Sequence, residues 1–160
     1  MRFQLDELGQ VVQDETPSGV CNANGIHNQT KTDLLTSAYA GWTAGDHRLI
    51  LGDAADDDPS LTADDNLDDI AGGAIVATSA ALSNRTSGTT GAGQADADDV
   101  TFTSVTGDMS EWLEYYQHTG TPSTSRLVLK LDTGVTGLPV TPNSGNITVT
   151  MGAYIFSVAA

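Results

Sequence analysis

The sequence predicts an all-β fold, an antiparallel β-sandwich or barrel of about seven strands with an irregular N-terminal arm. Three observations carry that prediction. Short runs of β-branched, aromatic and leucine residues recur between residues 47 and 158. Gly, Pro, Asp and Asn turns separate most of them. Two runs alternate apolar and polar residues with period two, the spacing of a strand with one buried face.

Residues 1–44 read as an arm for docking or oligomer contacts, and residues 45–160 as the β-body. The arm is polar, with turn signals at Pro17-Ser18-Gly19 and Asn24-Gly25. Asp33 is placed to N-cap a short helix through Leu34, Leu35 and Tyr39, ending before Gly41. The first strand is His47-Arg48-Leu49-Ile50-Leu51. An Asp-rich loop follows over 53–69, with a helical turn near Leu67-Asp68-Asp69-Ile70. Ala74 to Thr78 is the next strand, and Asn84 to Gly93 a Gly/Thr/Ser loop. Val100 to Val105 is rich in β-formers. Glu111-Trp112-Leu113-Glu114-Tyr115-Tyr116 fits a strand, with a helix as the alternative. Arg126 to Leu131 alternates and puts Leu127, Leu129 and Leu131 on one face; Ile147 to Met151 does the same with its threonines outward. Tyr154 to Val158 ends the series. A single sheet would leave Leu127, Val149 and Phe156 wet, so two apolar faces are expected to cover each other.

The charge is the second strong signal. Asp plus Glu number 21 against 6 Lys plus Arg, a net charge of −15. The lysines are Lys31 and Lys130, and the glutamates Glu7, Glu15, Glu111 and Glu114; all other acids are aspartates. Such a surface repels itself in dilute buffer. At about 1 M salt the Debye length falls to ~3 Å and the repulsion is screened. Short carboxylates hold water and cations, and few lysines means few apolar stems on the surface. The composition resembles that of proteins from extreme halophiles. It disfavours bare nucleic acid as a partner.

Residues 1–20 contain four acids and no apolar run of the kind a secretory signal needs. No stretch approaches the ~20 apolar residues of a membrane span, so no membrane insertion is expected. Cys21 is the single cysteine, which excludes an intrachain disulfide.

Catalytic signatures are absent: no G-x-S-x-G elbow, no phosphate-binding glycine loop and no paired-histidine spacing. His27, His47 and His118 are isolated and expected in loops or at the surface. No catalytic or cofactor-binding residue is assigned, and the chain is read as a non-enzyme. Among the acid clusters, Asp96, Asp98 and Asp99 stand ahead of a strand and are the weak metal candidates. They would take Ca²⁺, Mg²⁺ or Na⁺/K⁺ as a structural cation. The other clusters read as solvated loop. Trp112, Tyr115 and Tyr116 are weak candidates for a receptor or glycan contact. Asn28, Asn84 and Asn146 begin N-x-[ST] triplets; the first two lie in expected loops.

Several runs hold a common order and spacing. The first is Leu67-Asp68-Asp69-Ile70-Ala71-Gly72-Gly73-Ala74-Ile75-Val76-Ala77-Thr78-Ser79-Ala80-Ala81-Leu82. The second is Asp96-Ala97-Asp98-Asp99-Val100-Thr101-Phe102-Thr103-Ser104-Val105-Thr106-Gly107-Asp108. The rest are His118-Thr119-Gly120, Ser123-Thr124-Ser125-Arg126-Leu127 and Thr136-Gly137-Leu138-Pro139-Val140-Thr141-Pro142-Asn143-Ser144-Gly145-Asn146-Ile147. Over roughly residues 45–156 the chain resembles a family of small head-associated structural proteins of tailed bacteriophages. It departs from that pattern at Glu111–Tyr116 and in the Gly/Thr-rich loop 83–93, and residues 1–44 match nothing in it.

The resemblance implies a virion protein without catalysis. With the salt signature it implies a tailed virus of a haloarchaeon. The shell itself needs a longer chain, so a capsid decoration protein or turret is the implied role. The implied partners are the major capsid protein of the same virion and further copies of this chain, as a trimer or pentamer. The implied location is the outer capsid surface, after synthesis in the host cytoplasm. One alternative is a module on head or tail that recognises host-envelope glycans through Trp112, Tyr115, Tyr116 and the loop 83–93. A remote one is a small glycosidase or Ca²⁺-dependent lyase, which needs two converging carboxylates.

Overall fold

The computed structural model describes residues 24–88, 93–152 and 154–157. The expectations for residues 1–23 (most of the arm, its first turn, Cys21), for 89–92 and for the last strand's end at Val158 lie outside these. The described chain is all-β with one helix. In order it forms β1 (Gly25–Ile26), α1 (Asn28–Thr36), β2 (Asp46–Gly52), β3 (Ile75–Thr78), β4 (Thr86–Ser87) and β5 (Gln94–Asp96). There follow β6 (Val100–Phe102), β7 (Trp112–His118), β8 (Leu127–Leu131), β9 (Ile147–Val149) and β10 (Phe156–Ser157). These make three antiparallel sheets: β1-β8-β7-β2-β3, β10-β5-β4 and β6-β9. The sheets do not close into a barrel, so the sandwich-like alternative holds.

The five-stranded sheet is buried on both faces. One face carries Leu49, Leu51, Leu113, Tyr115 and Leu129 against Trp42, Ala95, Val100, Phe102 and Val105 from the smaller-sheet side. The other carries Ile50, Trp112, Tyr116 and Leu127 against Ile70 and Ala74. The cover on this second face is the Asp-rich connector of residues 53–74. Its backbone is tied down by Trp112 Nε1–H to the Asp57 carbonyl (2.9 Å) and by Leu127 N–H to the Asp65 carbonyl (3.0 Å).

The connector differs from the solvated loop expected of it. Several of its carboxylates accept backbone amides: Asp57 from Ala71 (2.7 Å), Asp64 from Ser60 (2.6 Å), and Asp69 from Asp65 and Asn66 (2.8 and 2.9 Å). Those two amides hold the Asp69 carboxyl below its usual range. Aspartate is short enough to reach back to its own chain, which glutamate does less well.

β7 is a strand along its whole length, paired with β2 over seven residues from Asp46↔His118 to Gly52↔Trp112. Gly52 is required there, because a Cβ at this position would fall inside the Trp112 indole. Gly52→Ala is therefore expected to destabilise the fold by about 1–3 kcal/mol through overpacking, read as a lower urea midpoint.

Residues 24–44, expected within the arm, are built into the body. β1 forms an edge of the large sheet against β8, and Trp42 is a core residue. The helix starts five residues before the expected cap at Asp33. Tertiary contacts override the local signal: Asn28 N–H donates to the Leu61 carbonyl (2.9 Å) and Thr30 Oγ1–H to the Leu127 carbonyl (2.5 Å). Asp33 lies inside α1 and pairs with Arg126 at 2.9 Å.

Candidate functional site

The expected contact and cation residues are placed as follows. Trp112, Tyr115 and Tyr116 are at most 2% exposed. Their rings fill the two cores, so they present no face to a glycan. Asp96 Oδ1 accepts Ala97 N–H, and Asp98 Oδ2 accepts Ser83 Oγ–H and Asn84 Nδ2–H. Asp99 Oδ1 accepts Met151 N–H. These three carboxylates are strand-end acceptors and do not converge on one point among the described residues. A different set, Asp53, Asp56 and Asp108, brings one oxygen each within 4.8 Å of one another. Asp53 is buried and already accepts Ala55 N–H at 2.8 Å, while the other two are exposed. Of the sequons, Asn28 is exposed on α1, but its Thr30 hydroxyl is buried in the bond to Leu127. Asn84 is exposed and bonded to Asp98.

Two histidines expected at the surface are buried completely, His27 and His47. Burial, and then the positive charge of Arg85, push the His47 pKa down to about 4. The neutral ring's Nε2 shares a 2.7 Å hydrogen bond with the Tyr39 hydroxyl.

His27 belongs to a buried group of charges. β7 supplies Glu114 and β8 supplies Lys130, directly opposite each other in the sheet register. Both are fully buried, on the face that the acidic connector covers. His27 follows β1 and sends Nε2 to within 3.0 Å of Glu114 Oε2. Its Nδ1 lies 2.8 Å from the Asp64 carbonyl. Lys130 Nζ pairs with Asp58, donates to the Pro59 carbonyl at 3.0 Å and lies 3.6 Å from Asp132, whose side chain is also buried.

Charges taken from water are costly, and they persist when paired and hydrogen-bonded. Burial raises the Glu114 pKa, and His27 and Lys130 offset part of that rise. For His27, burial acts downward, but the Glu114 charge and its hydrogen bond with the Asp64 carbonyl outweigh it, and the pKa is raised. Both shifts run toward keeping a proton in this contact, which titrates as a pair.

The cluster therefore works as a fastener. Through His27 and Lys130, β7 and β8 hold the carbonyls of Asp64 and Pro59 and the carboxylate of Asp58, all in the connector. It has no open face for a substrate. Nearby, Ile26, Leu34, Tyr39, Trp42, Val128 and Phe156 line an apolar groove of about 290 Å³ that has no acid or histidine in its walls among the described residues.

Spacing could not announce this cluster, since His27 and Glu114 are 87 residues apart. The one local sign was a lysine in the middle of the alternating run Leu127–Leu131. No protein-family model matches the chain, and no curated protein matches it.

Proposed function

We propose that the chain is a non-catalytic structural subunit on the outside of a tailed-virus head, a decoration or turret protein working in concentrated salt. The observation that carries this reading is where the chemically capable side chains go. His27, His47, Glu114, Lys130, Trp112, Tyr115 and Tyr116 are all spent inside, fastening the sheet to its covers. What faces outward is acid: Asp56, Asp68, Asp69, Asp98, Asp99 and Asp108 are exposed. Lys130 is buried, which leaves Lys31 as the surface lysine. The resemblance over residues 45–156 supplies the setting, and the major capsid protein and a homo-trimer or pentamer are the partners it supports.

The docking role passes to residues 1–23, because 24–44 are part of the body. A chain lacking residues 1–23, shown by its own cooperative melt to be folded, should be absent from assembled particles. Normal incorporation of the shortened chain would remove that role from the segment.

The surface also sets a salt response. The thermal midpoint should rise clearly between about 0.2 M and about 3 M KCl, as screening relieves the carboxylate repulsion. A midpoint indifferent to salt over that range would contradict the proposed working environment.

A further inference from the structure

The His27–Glu114 contact has a chemistry that its burial makes decisive. The Asp64 carbonyl can only accept a hydrogen bond, so the Nδ1 facing it at 2.8 Å carries a hydrogen. Nε2 and Glu114 Oε2 are 3.0 Å apart and need one hydrogen between them. Without it, two lone pairs face each other in a site closed to water. Glu114 Oε1 has no hydrogen-bond partner to compensate.

The contact also joins three separate parts of the chain. His27 opens α1, its own N–H bonding the Val128 carbonyl at 3.1 Å. Glu114 lies in β7, and Asp64 in the acidic connector. The other ties of residues 24–36 are two register pairs between β1 and β8, three hydrogen bonds between Asn24 and residues 132–133, the Asn28 and Thr30 bonds, and the Asp33–Arg126 pair. β2 and β7, by contrast, share seven register pairs.

The charged groups around His27 favour keeping the proton. From β7 there is Glu114; from β8 and its end, Lys130 and Asp132. From the connector come Asp58, on Lys130, and Asp64 and Asp65, which contribute carbonyls. From α1 come exposed Lys31 and the Asp33 already paired with Arg126. With the proton bound, His27 and Lys130 balance all but one of the carboxylates of Glu114, Asp58 and Asp132. Without it, Lys130 alone faces the three.

We propose that the proton shared by His27 and Glu114 is a latch. While it is bound, residues 27–36 and residues 60–66 of the connector are pinned to the large sheet; its loss on the alkaline side loosens them while β2, β7 and β8 stay paired.

The direction follows from linkage. Both members of the pair are raised, so the folded chain keeps the proton to higher pH than the unfolded chain. The His27 part of the stabilisation is complete below its ordinary value of about 6.5 and is lost as pH rises through the folded one; the Glu114 part has the same sign and is complete below about 4.5.

The test is amide hydrogen exchange of the full chain in molar KCl, corrected for intrinsic rates, from about pH 6 to about pH 9.5. Nitrogen chemical shifts of the His27 ring are followed over the same range. Protection of residues 27–36 and 60–66 should fall about tenfold or more while β2 and β7 keep theirs, and the ring should lose its proton in the same interval. In Glu114→Gln, the amide donates to a neutral Nε2, leaving no shared proton, and the step should vanish. A step that persists in that variant, or a simultaneous loss in every strand, would overturn the latch. Should the variant not fold, the wild-type chain decides: ring nitrogens of His27 that do not change between about pH 6 and about pH 9.5, or that change with no change in residues 27–36, are the contradicting result.

Discussion

Replacing Lys130 with methionine is expected to cost about 3–5 kcal/mol of folding stability. Methionine fits the volume of the lysine stem, so the core shape is kept and the ammonium alone is lost. The Asp132 side chain then lies buried without its cation, Asp58 and the Pro59 carbonyl lose their donor, and Glu114 loses the charge across the sheet. Breaking one side of a buried pair is far more damaging than replacing both sides, because the survivor stays charged in a dry place. The same logic predicts recovery. Adding Asp132→Asn and Asp58→Asn to Lys130→Met should regain part of the loss, an interaction that a double-mutant cycle reads directly. Urea melts in molar KCl provide the measurement. A cost under about 1 kcal/mol for Lys130→Met would show that water reaches the cluster and that the charges are solvated.

Trp112→Ala carries a comparable penalty, about 3–5 kcal/mol, at the upper end of that range. The indole fills the space above Gly52 in the second core, and its Nε1–H holds the Asp57 carbonyl at 2.9 Å. Alanine leaves a cavity and an unpaired carbonyl together. Trp112→Phe separates the two effects. It keeps most of the ring and loses the donor, so about 1–2 kcal/mol is expected, near the value of one buried hydrogen bond. In both variants amide protection of the connector around Asp57 should fall more than that of β2. Equal loss everywhere would mean that Trp112 stabilises the sheet and not the acidic cover.

The strands were largely legible from their composition, and the reasons for the misses are local. Leu127, Leu129 and Leu131 alternate, which placed them on one face. The register shifts between Tyr115 and Tyr116, where Val128 is the extra residue. That bulge sends Leu127 to the second core while Val128 and Leu129 join the first. β7 was ambiguous between strand and helix because both its faces are covered, and a strand buried twice loses its alternation. The end of the arm was misplaced at residue 44 because the polar stretch around His27 reads as surface until the sheet that takes it up is present. The buried cluster was the least legible part. Its members come from four separate stretches of chain, and only the sheet register brings Lys130 opposite Glu114.

The aspartates were half legible. Their number announces a strongly acidic surface. Their second use, closing turns of the connector through Asp57, Asp64 and Asp69, depends on a backbone path that no composition encodes.

The proposed outer structural role is tested most directly on intact particles. Virus particles banded in a salt density gradient should carry the chain at a fixed ratio to the major shell protein, and antibody to its folded body should decorate their outer surface. A chain that stays with the soluble fraction, or that antibody reaches only after the particles are broken open, would contradict the role.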